Sequence, residues 1–231
     1  MSAFGSVPRP AAILFDVNET LSDLAPLGVR FDEIGLDPGW ARTWFAALLR
    51  DGFALSATGQ AAPFATLGEN VLRGILAGQE TAMPVDAAVS HILDGFTGLG
   101  LHPDVADGIR MLHDDGLRLC TLTNGAVPVS ESLFARGGVR PFFDRLMSAE
   151  EGAGVWKPAA AAYRYAQTQL DVPAAQLLLV AVHPWDIHGA SRAGLSTAWI
   201  NRDGAPFPPH FDPPDLTVGS VPELALALRA G

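Results

Sequence analysis

The chain has 231 residues, 48% hydrophobic and 17% charged, against about 25% charged in an average soluble protein. That composition excludes a disordered chain and fits one well-filled core domain with a modest insertion. Fifteen Lys and Arg against 25 Asp and Glu give a net charge of -10, and no basic run stands beside aromatic residues, which argues against a nucleic-acid surface.

Residues 11–15 form a short apolar run that ends at Asp16, the pattern of a buried strand. From about 37 to 99 the pattern turns helical, in three segments bounded by Gly or Pro at 39–56, 63–77 and 85–96. With its connections this helical insertion spans 25–97 and makes a cap domain, leaving 1–24 and 98–231 to the core domain. Apolar runs then alternate with amphipathic helices: helix 105–113, strand 117–122, helix 129–136, strand 143–147, helix 159–169, strand 177–182, helix 187–193, strand 197–200 and helix 221–228. This is the signature of an α/β fold, a Rossmann-like parallel sheet flanked by helices on both faces, with a helical cap after the first strand. The Pro-rich stretch 206–214 reads as a surface loop. The one cysteine, Cys120, lies in the apolar run 117–122 and reads as core rather than nucleophile. Even the run 177–182 is far shorter than the roughly 18 to 20 apolar residues of a membrane span, and no cationic segment precedes an apolar one at the start. A cytoplasmic protein without membrane or nucleic-acid partners is expected.

Sheets of this kind bind ligands beyond the carboxyl ends of their strands, so the polar residues that follow each run carry the information. Asp16 follows the first strand and Thr20 comes four residues later; a carboxylate there is a nucleophile, a metal ligand or a loop cap. Thr123 and Asn124 follow the second strand, with Gly125 permitting close backbone approach. Lys157 stands just before Pro158 and a helix, against the preference of a helix start for anions, so it needs an anionic partner. Tyr163, six residues on, is placed to reach the same end or to pack in the core. His183, Trp185 and Asp186 follow the strand at 177–182, Asp186 being an N-cap or a site carboxylate.

Taken together, these four clusters resemble the haloacid dehalogenase superfamily, and within it the L-2-haloacid dehalogenases (type II). The likeness rests on Asp16, Thr123, Lys157 and Asp186 in order, the Trp185-Asp186 pair, Lys157-Pro158 with Tyr163, the Thr123-Asn124-Gly125 turn and the WINR run at 199–202. It implies hydrolytic dehalogenation of short-chain 2-haloalkanoic acids to 2-hydroxy acids through an aspartyl ester, with no metal or other cofactor, and a possible homodimer. Asp16 is then the nucleophile, Lys157 sets the charge balance, and Asp186 positions Lys157 and the hydrolytic water. Thr20, Thr123 and Asn124 orient the carboxylates by hydrogen bonding, and cap aromatics such as Trp44, Phe45 and Phe64 exclude water.

The phosphatase branch of the superfamily is the main alternative, together with a related hydrolase of another substrate. Phosphatases use a second Asp two positions after the nucleophile; here Asn18 stands there and cannot cycle a proton. Val182 takes the place of one of their magnesium ligands. Three positions also depart from the dehalogenases. Phe45 lies near the usual cap Arg, with Arg42 and Arg30 as substitutes; Ala181 and His183 replace a Ser and an Asn; and Asn18-Glu19 replaces an aromatic and a Gly. His183 is either a hydrogen-bonding replacement, a water-activating base or a polar loop residue.

Overall fold

The computed structural model describes residues 7–230. Its central strands are apolar on both sides: β1 (Ala12–Phe15) reads AILF, and every residue of it is buried. Ile13 and Phe15 join the cluster on one face of the sheet, Ala12 and Leu14 that on the other, the period of two of a pleated strand. The chain leaves β1 for α1 (Leu27–Glu33), α2 (Trp40–Ala57), α3 (Phe64–Leu76) and α4 (Val85–Thr97). It returns through α5 (Val105–Asp114), β2 (Leu119–Thr121), α6 (Val127–Arg136), β3 (Phe143–Arg145), α7 (Ala149–Gly152) and α8 (Ala160–Leu170). Then come β4 (Leu177–Ala181), α9 (Pro184–Arg192), β5 (Ser196–Ile200), β6 (Leu216–Val218) and α10 (Val221–Ala230).

The six strands form one sheet in the order β3-β2-β1-β4-β5-β6, all neighbours parallel. The apolar residues of α5, α6 and α10 cover one face, and those of α8 and α9 cover the other. Because the chain runs outward from β1 to β3 and then returns to place β4 beside β1, the strand order reverses there. The crevice beyond the carboxyl ends of β1 and β4 is the position where such sheets hold ligands.

Helices α1 to α4 pack round their own apolar cluster, centred on Trp44, Leu48, Leu72 and Ile92, and two core residues complete it: Trp156 belongs to it and Trp185 packs against it. Polar ties fix the same contact. Glu150 in α7 accepts a 2.6 Å hydrogen bond from Phe64 N at the start of α3, and Trp156 N donates to Ser56 Oγ at 2.9 Å.

The expected helices 39–56, 63–77 and 85–96 match α2 to α4 within a residue or two. Helix α1 was not anticipated, since seven residues burying only Leu27, Gly28 and Phe31 are too few to show a period. Helix α9 starts at Pro184 instead of 187, because a proline fits a first turn, where its missing N–H loses no bond. The expected strand 143–147 stops at Arg145, and the three residues of β6 extend the sheet beyond β5 just after the Pro-rich loop. Cys120 is buried in β2, and burial pushes its thiol up to about 11, consistent with a packing role. Among the described residues no helix is long and apolar enough to cross a membrane.

Candidate active site

Asp16 comes off the end of β1 and is 4% exposed. Lys157 reaches it from the loop before α8: its fully buried Nζ donates to Asp16 Oδ1 at 2.9 Å and to Asp186 Oδ2 at 2.5 Å. Thr20 Oγ1 donates to Asp16 Oδ2 at 2.7 Å and accepts from Val182 N at 3.1 Å, tying the loop after β1 to the end of β4. The Tyr163 hydroxyl donates to Asp186 Oδ1 at 2.6 Å. Asp186, in the first turn of α9, is fully buried and has both oxygens engaged.

Charges this deep persist because each one has a partner. Burial works against the Lys157 ammonium, but the charges of Asp16 and Asp186 outweigh it and raise its pKa. Burial also favours the neutral form of Asp16, yet Lys157 and His183 hold that carboxyl well below the usual range. At Asp186 burial prevails over Lys157 and the pKa rises. Burial and then the Asp186 charge keep the Tyr163 hydroxyl protonated as a donor.

His183 completes the ring around Asp16. Its Nδ1 lies 3.1 Å from Asp16 Oδ2, and its Nε2 lies 2.9 Å from Glu19 Oε2. Burial lowers its pKa, but the two hydrogen-bonded carboxylates raise it to about 9, so at neutral pH an imidazolium donates from both nitrogens. Glu19 adopts φ 60°, a left-handed conformation that costs a residue with a Cβ on the order of 1 kcal/mol. It is held there by Ser22 Oγ, which accepts from Glu19 N at 3.2 Å, and by His102 Nε2, 2.9 Å from its carbonyl oxygen. Trp185 stacks on His183 with ring centroids 4.9 Å apart, and Phe45 lies 6.3 Å from the same imidazole. The Trp185 ring also faces Lys157 Nζ at 5.8 Å.

Thr123 and Asn124 do not bond the carboxylates. Asn124 clamps the Lys157 backbone, accepting from Lys157 N at 2.8 Å and donating to Lys157 O at 3.1 Å, while Thr123 Oγ1 accepts from Gly125 N at 3.1 Å. Asp186 gives one oxygen to Lys157 and the other to Tyr163. Arg42 is exposed and lines an open cleft of about 810 Å³ outside Glu19 and His183, whereas Arg30 turns to His91 and Glu33 on the cap surface. Asn18 stands on the opposite side, at the edge of a separate apolar cavity. Glu19 entered the sequence reading only as a departure; its signal was the company of a second departure, His183.

A magnesium ion does not suit this arrangement. A hard cation needs several oxygen ligands, yet Lys157, Thr20 and His183 already bond both oxygens of Asp16, and Val182 offers no carboxylate at the end of β4.

A family model for the haloacid dehalogenase-like hydrolases matches residues 10–194. The chain belongs to that family. A (S)-2-haloacid dehalogenase of Pseudomonas sp. (strain YL) is 30% identical over 214 residues, covering 90% of each chain. Enolase-phosphatase E1 of Nocardia farcinica (strain IFM 10152) is 33% identical over 235 residues, covering 94% of this chain and 97% of that one. Among solved structures, the L-2-haloacid dehalogenase RSc1362 superimposes with a TM-score of 0.85 at 26% identity, over 97% of this chain and 99% of the other. The protein is thus a haloacid dehalogenase-like hydrolase whose relatives include both carbon–halogen and phosphate ester enzymes, and the residues round Asp16 must discriminate between the two.

Proposed function

We propose that this hydrolase displaces halide from C2 of 2-haloalkanoic acids through an ester on Asp16, without a metal ion. One observation carries the reading: the Asp16 carboxylate is held by an ammonium, a hydroxyl and an imidazolium, with Asn18 where a phosphatase keeps its acid. A carboxylate fixed on both oxygens is set for in-line attack, and Asn18 has no proton to give a leaving alcohol. The likeness to the Pseudomonas enzyme supports the substrate class.

The chemistry then runs in two displacements. An oxygen of Asp16 attacks C2, the carbon–halogen electron pair leaves with the halide, and the carboxylate charge disappears. His183 thereby loses one of the two anions that hold its proton, and the proton departs. Water next attacks the ester carbonyl carbon, giving one proton to His183 and the other to the departing oxygen of the 2-hydroxy acid. The acyl carbon–oxygen bond breaks and the Asp16 carboxylate is restored. Each turnover yields one halide and one proton. Lys157 stabilises the carboxylate before and after, and Asp186 and Tyr163 act through Lys157 by holding its Nζ in place.

The test is halide and proton release from 2-bromoacetate and 2-chloropropanoate, with and without EDTA, alongside phosphate release from a generic phosphate ester. Equal halide release in both conditions supports the reading. Turnover of the phosphate ester that is lost in EDTA and regained with magnesium overturns it.

A further inference from the structure

The run WINR at 199–202 carries part of the family likeness but has no part in the steps above. It lies at the end of β5 and touches both loops that meet at Asp16. Trp199 pairs with Ala181 in the ladder between β5 and β4, which brings its indole beside the end of β4, and Nε1 donates to Val182 O at 2.8 Å. Arg202, just past the strand, reaches the loop after β1 and donates from Nη2 to Thr20 O at 3.0 Å. The two residues gripped in this way also hold each other, since Val182 N donates to Thr20 Oγ1 at 3.1 Å.

The clamp is itself fixed. Arg202 Nε and Nη2 meet the two carboxylate oxygens of Asp104 at 3.1 and 3.2 Å, a planar fork that a lysine cannot make. Asp104 Oδ2 also accepts from Val221 N at 2.9 Å, at the start of α10. Asn201 closes the turn behind Arg202: its Oδ1 accepts from Ala205 N and its Nδ2 donates to Ala205 O, both at 3.0 Å. Among the described residues no other donor reaches Thr20 O. Fixing that carbonyl fixes the peptide plane after Thr20 and with it the direction of the side chain, whose hydroxyl donates to Asp16 Oδ2 at 2.7 Å. Thr20 is wholly buried, so bulk water does not replace a lost partner there.

We propose that Arg202 is a positioning residue for the Asp16 nucleophile, acting through Thr20, with Trp199 holding the facing end of β4. The inference rests on the reading of Asp16 as the nucleophile. A carboxylate attacks in line only where its oxygens are held, and a misplacement of about 1 Å costs on the order of a hundredfold in rate. Lys157 fixes Oδ1, whereas Oδ2 depends on Thr20 and His183, and both of these stand on backbone that the clamp holds. Thr20 is held by its own carbonyl, and His183 by the carbonyl of the preceding Val182. Loss of the clamp should therefore slow the attack and leave substrate binding nearly unchanged.

The experiment is a double-variant cycle read as single-turnover halide release from 2-bromoacetate. Arg202→Met should lower the saturating rate constant by about ten- to a hundredfold, with little change in the half-saturating concentration. Thr20→Val should cost at least as much, and Arg202→Met added to it should cost nothing further, because residues that act as one unit are not additive. Thr20→Ser, which keeps the hydroxyl, should remain sensitive to Arg202→Met. Trp199→Phe removes only the indole N–H and should slow the attack in the same way; the cycle is run with it should Arg202→Met not fold. Urea unfolding of each variant separates loss of folded protein from loss of rate. Losses that multiply in the double variant, a change confined to half-saturation, or an unaltered rate in the folded variants overturns the proposal. If the unaltered protein releases phosphate from a generic phosphate ester and no halide from the bromo acid, the dehalogenase reading falls, and the same cycle run on the ester decides the clamp.

Discussion

Glu19, in the left-handed conformation at φ 60°, sets Oε2 2.9 Å from Nε2 of His183. A residue with a side chain is retained there, where glycine adopts the conformation at no steric cost, because its carboxylate orients the imidazole against Asp16. Under the proposed mechanism this pair activates the water, which separates the two half-reactions. His183→Asn should still form the ester, while hydrolysis slows by about 10²- to 10⁴-fold, the usual contribution of a general base. Glu19→Gln should slow hydrolysis in the same direction by a smaller factor. Rapid quenching and intact-mass measurement would then find Asp16 alkylated in the steady state. If ester formation and hydrolysis fall together, His183 is not the base.

The same pair gives stability a pH dependence. The pKa of His183 rises on folding from the ordinary imidazole range to about 9, so its contribution is complete below about 6.5 and is lost as pH rises through about 9. Asp16 shifts the other way, its contribution being present above the normal carboxylate range and lost on acidification. Unfolding midpoints measured from pH 6 to pH 8, below the range in which the Cys120 thiol adds a slope of its own, should fall with pH, and His183→Asn should abolish that slope. A slope that persists in the variant would assign it to another group.

Much of this was legible in the chain because the informative residues are few and strand-bound. AILF before Asp16 and LLLVA before Val182 are apolar on both faces, which only a buried parallel strand requires, so they located the crevice before any coordinates. The partners inside the crevice were less legible. Asn124 was read as a carboxylate ligand and proves to hold the Lys157 backbone instead, a contact spanning 33 residues that no spacing reveals. Glu19 and His183 are 164 residues apart, and each alone reads as an unexplained substitution. Their pairing emerges only when the fold brings the loop after β1 against the start of α9.

Lys157 bridges two buried carboxylates, so removing it tests whether the ion triad is structural as well as chemical. Lys157→Met leaves Asp186 without a cation and Asp16 with His183 alone, which should cost about 3–5 kcal/mol of stability. Tyr163→Phe removes one hydrogen bond to Asp186 and should cost about 1–3 kcal/mol. Urea unfolding at neutral pH measures both. Equal midpoints for Lys157→Met and the unaltered chain would mean that Asp186 is already neutral and needs no partner.

Gly52 couples the cap to the same triad from a distance. A Cβ at this position in α2 would lie 2.1 Å from Cε3 and 2.2 Å from Cζ3 of Trp156, inside any permissible contact. Trp156 is itself fully buried, stacks on Phe64 with centroids 5.4 Å apart, and is bonded through its backbone to Ser56. Gly52→Ala must therefore displace the indole, α2 or the loop that carries Lys157. Overpacking of this kind costs about 1–3 kcal/mol, and a shift of Lys157 Nζ by about 1 Å lowers turnover by on the order of a hundredfold. The expected signature is a fall in kcat larger than any rise in KM, because the ammonium holds Asp16, the proposed nucleophile. A Gly52→Ala protein with unaltered kcat and an unaltered unfolding midpoint would show that the contact between α2 and Trp156 is free to open, and that Lys157 is positioned by Asn124 alone.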